Sequence, residues 1–247
     1  MAGELLTEEP RPDPARSRRF ATPTALHVVD LPAYVERTRA AQLAHGRVPD
    51  PESDRARELA LDRGARLREA GVACPEHDSP ERGAWLRVVS HPDPREAAAE
   101  GHQGSLTAML GLAQWLRGPK VCVLVRGPRG TGKTVATWWA LAGHGGLYLT
   151  AGAVQEPPEQ WFATRRQALA VRGVLVFNDL TERLREWEWG RAAEVIEARA
   201  DVGLRTIVTT NRSAAEVEAP ECLGPRVWER LRGAVVTAGG ASLRGAP

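Results

Sequence analysis

The stretch "VCVLVRGPRGTGKTVATWWALA", residues 121–142, runs from an apolar strand through a glycine-rich turn into a helix. Within it stand Gly127, then Pro128, Arg129, Gly130 and Thr131, then Gly132, Lys133 and Thr134, matching G-x-x-x-x-G-K-[ST]. The glycines let the backbone turn tightly, so that successive N–H groups point at phosphate oxygens. The helix that follows presents its positive N-terminal end to the same anion. Lys133 is placed to reach the β- and γ-phosphates of a nucleotide, and the Thr134 hydroxyl to ligate Mg²⁺. A plain strand–turn–helix corner would use the glycines for the turn alone. The flanking strand and helix are the context that phosphate binding demands, so ATP or GTP binding is the expectation.

Composition sharpens this reading. Of the 33 Lys and Arg residues only Lys120 and Lys133 are lysine. Such an arginine bias reflects genome composition, and it makes the lysine inside the loop notable. A net charge of +2 does not by itself mark a nucleic-acid binder. Cys74, Cys122 and Cys222 lie far apart, which is no disulfide framework and fits a reducing compartment. The N-terminus lacks a signal-peptide core, and no run reaches the roughly 18 apolar residues of a membrane span. A cytoplasmic protein is expected.

Residues 1–25, with Pro10, Pro12, Pro14 and Pro23 among alternating charges, read as a flexible arm. Its Arg16, Arg18 and Arg19 are either a solvated tail or a contact to nucleic acid or an acidic partner. Residues 26–95 read as mostly helical, with Leu31, Tyr34 and Val35 in one stripe and Leu59, Leu61 and Leu67 in another. Pro75, Pro80, Pro92 and Pro94 break 72–98, predicting an irregular connector with a short strand over Trp85–Val89. The domain boundary is placed near residue 95. Beyond it "SLTAMLGLAQWLRG" predicts a helix, offering Leu106, Met109, Leu110, Leu112 and Leu116 to a core. Strands are predicted at 121–126, 146–150, 173–178 and 205–210 with helices between them. That alternation argues an α/β fold, a parallel sheet covered by helices, over residues 96–247.

Further candidates follow the loop. "VLVFNDL", Val174 to Leu180, is a buried-type strand ending in Asn178 and Asp179. An acid at this strand end holds the Mg²⁺ water shell in P-loop ATPases, and a neighbouring acid polarises the attacking water. Either Asp179 is the catalytic acid with weak metal support from the Asn178 amide, or Asp179 alone serves the metal and hydrolysis is slow. The strand "LRTIVTTN" ends at Asn211, which could orient the attacking water or simply mark a strand exit. In "GPRVWERL", Val227 and Leu231 can share one helix face while Arg226 and Arg230 share another.

In this order, GPRGTGKT, VLVFNDL, RTIVTTN, RVWERL and SLR resemble the AAA+ ATPases that load bacterial replicative helicases (DnaC-like) and the transposition helper ATPases related to them (IstB-like). The resemblance spans about residues 103–247, roughly 60% of the chain. It implies that the loop residues bind ATP, that Asn178 and Asp179 fall on the acidic pair, and Asn211 on the sensor-1 position. It places Arg230 on a trans-acting arginine finger and Arg244 on the sensor-2 arginine of a shortened C-terminal lid. The chain departs from the pattern in reading Asn178–Asp179–Leu180–Thr181, where two acids are followed by Leu-Gly in the family.

The resemblance implies a replicative helicase as partner, held by the N-terminal region, with single-stranded DNA and ATP-dependent head-to-tail self-assembly. A transposase is the alternative partner, and a nucleotide-gated adaptor with little turnover is the alternative from another functional class. Arg165, Arg166 and Arg172 could track a DNA strand, or be a charged helix exterior. Trp138 and Trp139 read as core. Cys74 and His77 form a Cys-x-x-His pair, but with His91 and His102 they lack the spacing of a structural zinc module.

Overall fold

The computed structural model describes residues 51–98, 103–181 and 183–239. The chain divides into units of residues 1–49 and 50–247, and all described residues lie in the second. The predicted Leu31–Val35 stripe, the basic arm and Arg244 fall outside them.

The elements run α1 (Pro51–Glu69), α2 (Pro80–Ser90), α3 (Pro94–Ala97), α4 (Gln103–Arg117), β1 (Cys122–Arg126), α5 (Lys133–His144) and β2 (Gly146–Thr150). They continue with α6 (Ala151–Val154), α7 (Pro158–Ala170), β3 (Val174–Leu180), α8 (Glu186–Asp201), β4 (Thr206–Thr210), α9 (Ala214–Glu218), α10 (Gly224–Leu231) and β5 (Val235–Thr237). The five strands form one sheet in the order β2-β3-β4-β1-β5, and every pair is parallel. The four predicted strands are present, each within a residue or two of its expected ends; β5, only three residues long, was not anticipated.

A sheet covered on both faces must be apolar on both, and alternation along each strand sorts the residues. Val123, Val125, Val174, Val176 and Ile207 enter a core with α1, α2, α4 and α5. Cys122, Leu124, Leu175, Phe177 and Val208 enter the opposite core with α7, α8 and α10. Helix α5 lies between the sheet and α1–α2, which is why both Trp138 and Trp139 are buried although adjacent. Leu67 joins this core fully buried, whereas Leu59, expected in the same stripe, is exposed.

The predicted strand over Trp85–Val89 is instead helix α2. Of the four prolines, Pro80 and Pro94 start helices rather than break them. Ser79 accepts the Glu81 N–H at the N-cap of α2 with Pro80 in the first turn, and Asp93 does the same for Arg95 with Pro94 in α3. Proline is tolerated there because its missing N–H would have had no partner within the helix.

Arg199 of α8 is fully buried and has no carboxylate partner among the described residues. Its guanidinium donates to Ala168 O at 2.7 Å, Val171 O at 2.8 Å, Gly173 O at 3.0 Å, Arg205 O at 2.9 Å and Thr206 Oγ1 at 3.1 Å. One side chain thus closes the end of α7 and the starts of β3 and β4, and burial pushes its pKa down to about 10. Arg199→Met should destabilise the fold by about 3–5 kcal/mol in chemical denaturation, because it leaves several buried carbonyls without donors. A change under about 1 kcal/mol, the size of an ordinary surface substitution, would rule this out.

Candidate nucleotide site

The phosphate loop links β1 to α5, and its conformation requires glycine. Gly132 has φ +82, and a Cβ there would stand 2.2 Å from Ser105 Oγ. At Gly127, with φ +148, a Cβ would meet Ala238 O at 2.0 Å. A side chain at Gly132 would press on Ser105 of α4 and one at Gly127 on the backbone just past β5, so either would shift the loop.

Lys133 is the first residue of α5 and is largely buried. Its Nζ donates to Gly127 O and Pro128 O, both at 2.7 Å, and to Asn211 Oδ1 at 2.8 Å. Burial holds its pKa below the ordinary lysine value; Asp179 opposes that shift and Arg129 adds to it. All three acceptors are neutral, so an anionic phosphate competes well for the ammonium.

A second chain of bonds joins the strand tips. Thr134 Oγ1 donates to Asn178 Oδ1 at 3.2 Å, and Thr209 Oγ1 donates to the same oxygen at 3.1 Å. Thr209 Oγ1 in turn accepts the Asp179 N–H at 2.8 Å. With its proton given to Asn178, the Thr134 hydroxyl keeps lone pairs for a metal ion. Asn211 Nδ2 reaches Asp179 Oδ1 at 3.5 Å, so Asn211 bridges Lys133 and Asp179.

Asn178 and Asp179 face opposite ways, as successive strand residues do, and β3 is also irregular here. Its register with β4 shifts between Phe177 and Leu180, and Asp179 takes φ +59. Asp179 is the one non-glycine among the described residues in that left-handed region, which aspartate tolerates better than most. Asn178 therefore points inward and is buried, while Asp179 is exposed at the mouth of the site.

These residues surround one cavity of about 940 Å³, lined by the loop from Arg129 to Thr134 and by Asn178, Asp179, Thr209 and Asn211. Its size suits a nucleotide. The side-chain oxygens that could face Mg²⁺ are the Thr134 hydroxyl and the Asn178 amide oxygen, which here accepts from Thr134 and Thr209, with phosphate oxygens and water to complete the shell as this ion is commonly held. No cluster of three or more His, Cys, Asp or Glu capable of holding a metal forms among the described residues. Cys74 Sγ accepts from Arg82, and His77 is fully exposed beside Asp78.

Arg230 does not line this cavity. It lies on α10, half exposed, paired with Asp201 at 2.7 Å. Val227 and Leu231 are buried on the other face of that helix, as the spacing predicted. Arg165 pairs with Glu194, and Arg166 is exposed beside it on α7. The cavity also takes Glu81, Ala84 and Arg87 from α2, which the sequence reading missed. Their three-residue spacing lies in a stretch whose prolines predict an irregular connector, with a short strand only over Trp85–Val89.

Sheet order and loop position define the class: an α/β P-loop fold, its site at the carboxyl ends of the strands. No protein-family model matches the chain, and no curated protein matches it. Among solved structures, the chain is similar to the replication initiator DnaA bound to AMPPCP and single-stranded DNA, at 16% identity and a TM-score of 0.45. That match covers 58% of this chain and 48% of the other, so the chain spans about half the length of that initiator. DnaI is similar at 18% identity and a TM-score of 0.44, over 60% of this chain and 88% of that one. The DnaC helicase loader is similar at 21% identity and a TM-score of 0.42, over 57% and 92%. No helix among the described residues is long and apolar enough to cross a membrane.

Proposed function

We propose that this protein is an ATP-dependent loader of a replicative DNA helicase, holding the helicase through residues 26–95 and contacting single-stranded DNA. The observation that carries the nucleotide part is the convergence of Lys133, Thr134, Asn178, Asp179 and Asn211 on one cavity. The order of the motifs carries the loader part. In this reading Gly127 to Thr134 hold the triphosphate, and Thr134 with Asn178 would hold Mg²⁺, whose charge would offset that developing on the phosphates. Asp179 and Asn211 position the attacking water, and Arg230 and Arg244 complete the surroundings of the γ-phosphate, Arg230 from a neighbouring subunit. Co-purification with the host replicative helicase is expected, and should be weakened by deleting residues 1–49, which spares the core built on α1 and α2. A full-length protein that ignores the helicase with ATP present would overturn the loader reading.

Asn178 favours a second reading, a nucleotide-gated adaptor with little turnover. Its amide oxygen keeps both hydroxyl donors but brings no charge to the metal. Asn178→Asp preserves the acceptor and adds the carboxylate, so phosphate release should rise about tenfold, the scale of one hydrogen bond made charge-assisted. If the rate does not rise while Asp179→Ala abolishes it, Asp179 is sufficient and Asn178 is no brake. Tight ATP binding without phosphate release, with DNA and helicase present, would select the adaptor.

A further inference from the structure

We infer that Arg87 of α2 binds the terminal phosphate of the nucleotide held by its own chain, making this helix the element that tells ATP from ADP. The inference rests on the nucleotide site proposed above.

Helix α2 has two faces. Trp85, Val88 and Val89 are buried against the core that includes α5. Glu81, Ala84 and Arg87 instead turn to the nucleotide cavity. The remaining walls are the phosphate loop, Val135 and Trp138 of α5, and the tips of β2, β3 and β4. Arg87 therefore lines the same cavity as the phosphate loop, Asn178 and Asp179, from the helix that packs on α5.

Two features mark it as a ligand group. Arg87 Nε is buried without a hydrogen-bond partner among the described residues, and a buried donor left unmade is destabilising. The helix that carries it is also firmly placed. Arg63 Nη2 donates to Val88 O at 2.9 Å, and Trp139 Nε1 of α5 donates to Pro92 O at 2.9 Å just beyond the helix end. Arg87 is thus anchored to the helix whose first residue is Lys133, and its position is set relative to the loop.

The shape of the site selects the ligand. The loop amides and Lys133 hold the β- and γ-phosphates from one wall of the cavity, and Arg87, on the α2 wall of the same cavity, meets the terminal-phosphate oxygens that the loop leaves open. A guanidinium fork matches phosphate oxygens in a bidentate way, and stays charged when half buried. Glu81 lies on the same face and would repel a continuous polyanion. A single phosphate group fits this setting better than a nucleic-acid backbone.

The test is titration of the full-length protein with fluorescent ATP and ADP analogues in Mg²⁺. Arg87→Ala should weaken ATP binding by about 10- to 100-fold, the range for a hydrogen bond to a charged group, and leave ADP within about twofold. Arg87→Lys should recover part of the ATP affinity, since it keeps the charge and loses the fork. Retained ADP affinity also reports that the variant is folded. Equal losses for both nucleotides, or none for either, would overturn the inference. So would weaker single-stranded DNA binding with an unchanged ATP-to-ADP ratio, which would give Arg87 to the nucleic acid. A wild-type protein that binds neither nucleotide sinks the underlying site as well, whereas one that binds both while ignoring Arg87→Ala sinks this inference alone.

Discussion

Lys133→Ala should lower ATP affinity by about 100-fold or more, measured by calorimetric titration, because it removes the ammonium that meets the β- and γ-phosphates. The bonds seen here give that loss two sources. Nζ is the common donor to Gly127 O, Pro128 O and Asn211 Oδ1, so the substitution also unfastens the loop from the tip of β4. Asn211→Ala separates the two. It breaks the link to β4 and leaves the ammonium, so binding should fall little while phosphate release falls more. Thermal unfolding is the second readout, since a ligand that binds only the folded state raises the melting temperature. ATP should shift the wild type and leave Lys133→Ala unmoved. A Lys133→Ala protein that binds ATP within about threefold of wild type would show that the loop holds the triphosphate by its amides alone.

Much of this site was legible because its chemistry is local in sequence. The loop, its lysine and its threonine form one segment, and the strands that carry Asn178 and Asn211 are strongly apolar runs with polar ends. Reach across the chain was less legible. That Thr209 ties Asn178 to Asp179 depends on the register of β3 with β4, including the shift between Phe177 and Leu180. No pattern within either strand shows it. Helix α2 was misread for a different reason: four prolines in 72–98 suggested breaks, although Ser79–Pro80 and Asp93–Pro94 are the pairs that start helices. With α2 lost, Arg87 could not be placed at the cavity. β5 has only three residues, too short for alternation to register, and is held by its pairing with β1.

Arg230→Ala should leave ATP binding to the monomer nearly intact while removing ATP-dependent assembly and cutting turnover by about 10³–10⁵, the range for arginines supplied in trans. Since Arg230 does not line its own chain's cavity, a role at the γ-phosphate has to be played in a neighbour's site. Its present partner does not oppose this. The Arg230–Asp201 pair is half exposed, and surface pairs contribute only about 0–1 kcal/mol, so exchange of Asp201 for a phosphate is easily offset. Val227 and Leu231, buried on the other face, keep α10 in place, so the substitution should not disturb the fold. A head-to-tail contact of this kind need not close, and a filament or open ring is the expected assembly by analytical ultracentrifugation with ATP. Mixing variants gives the sharper test. Lys133→Ala subunits lack the nucleotide but keep the arginine, and Arg230→Ala subunits bind the nucleotide but lack the arginine. Together they should recover part of the turnover that neither has alone, because some interfaces then contain both halves. If the mixture stays as inactive as its components, and the wild type stays monomeric with ATP, DNA and helicase present, Arg230 has no neighbour to serve. Its bond to Asp201 is then its whole function.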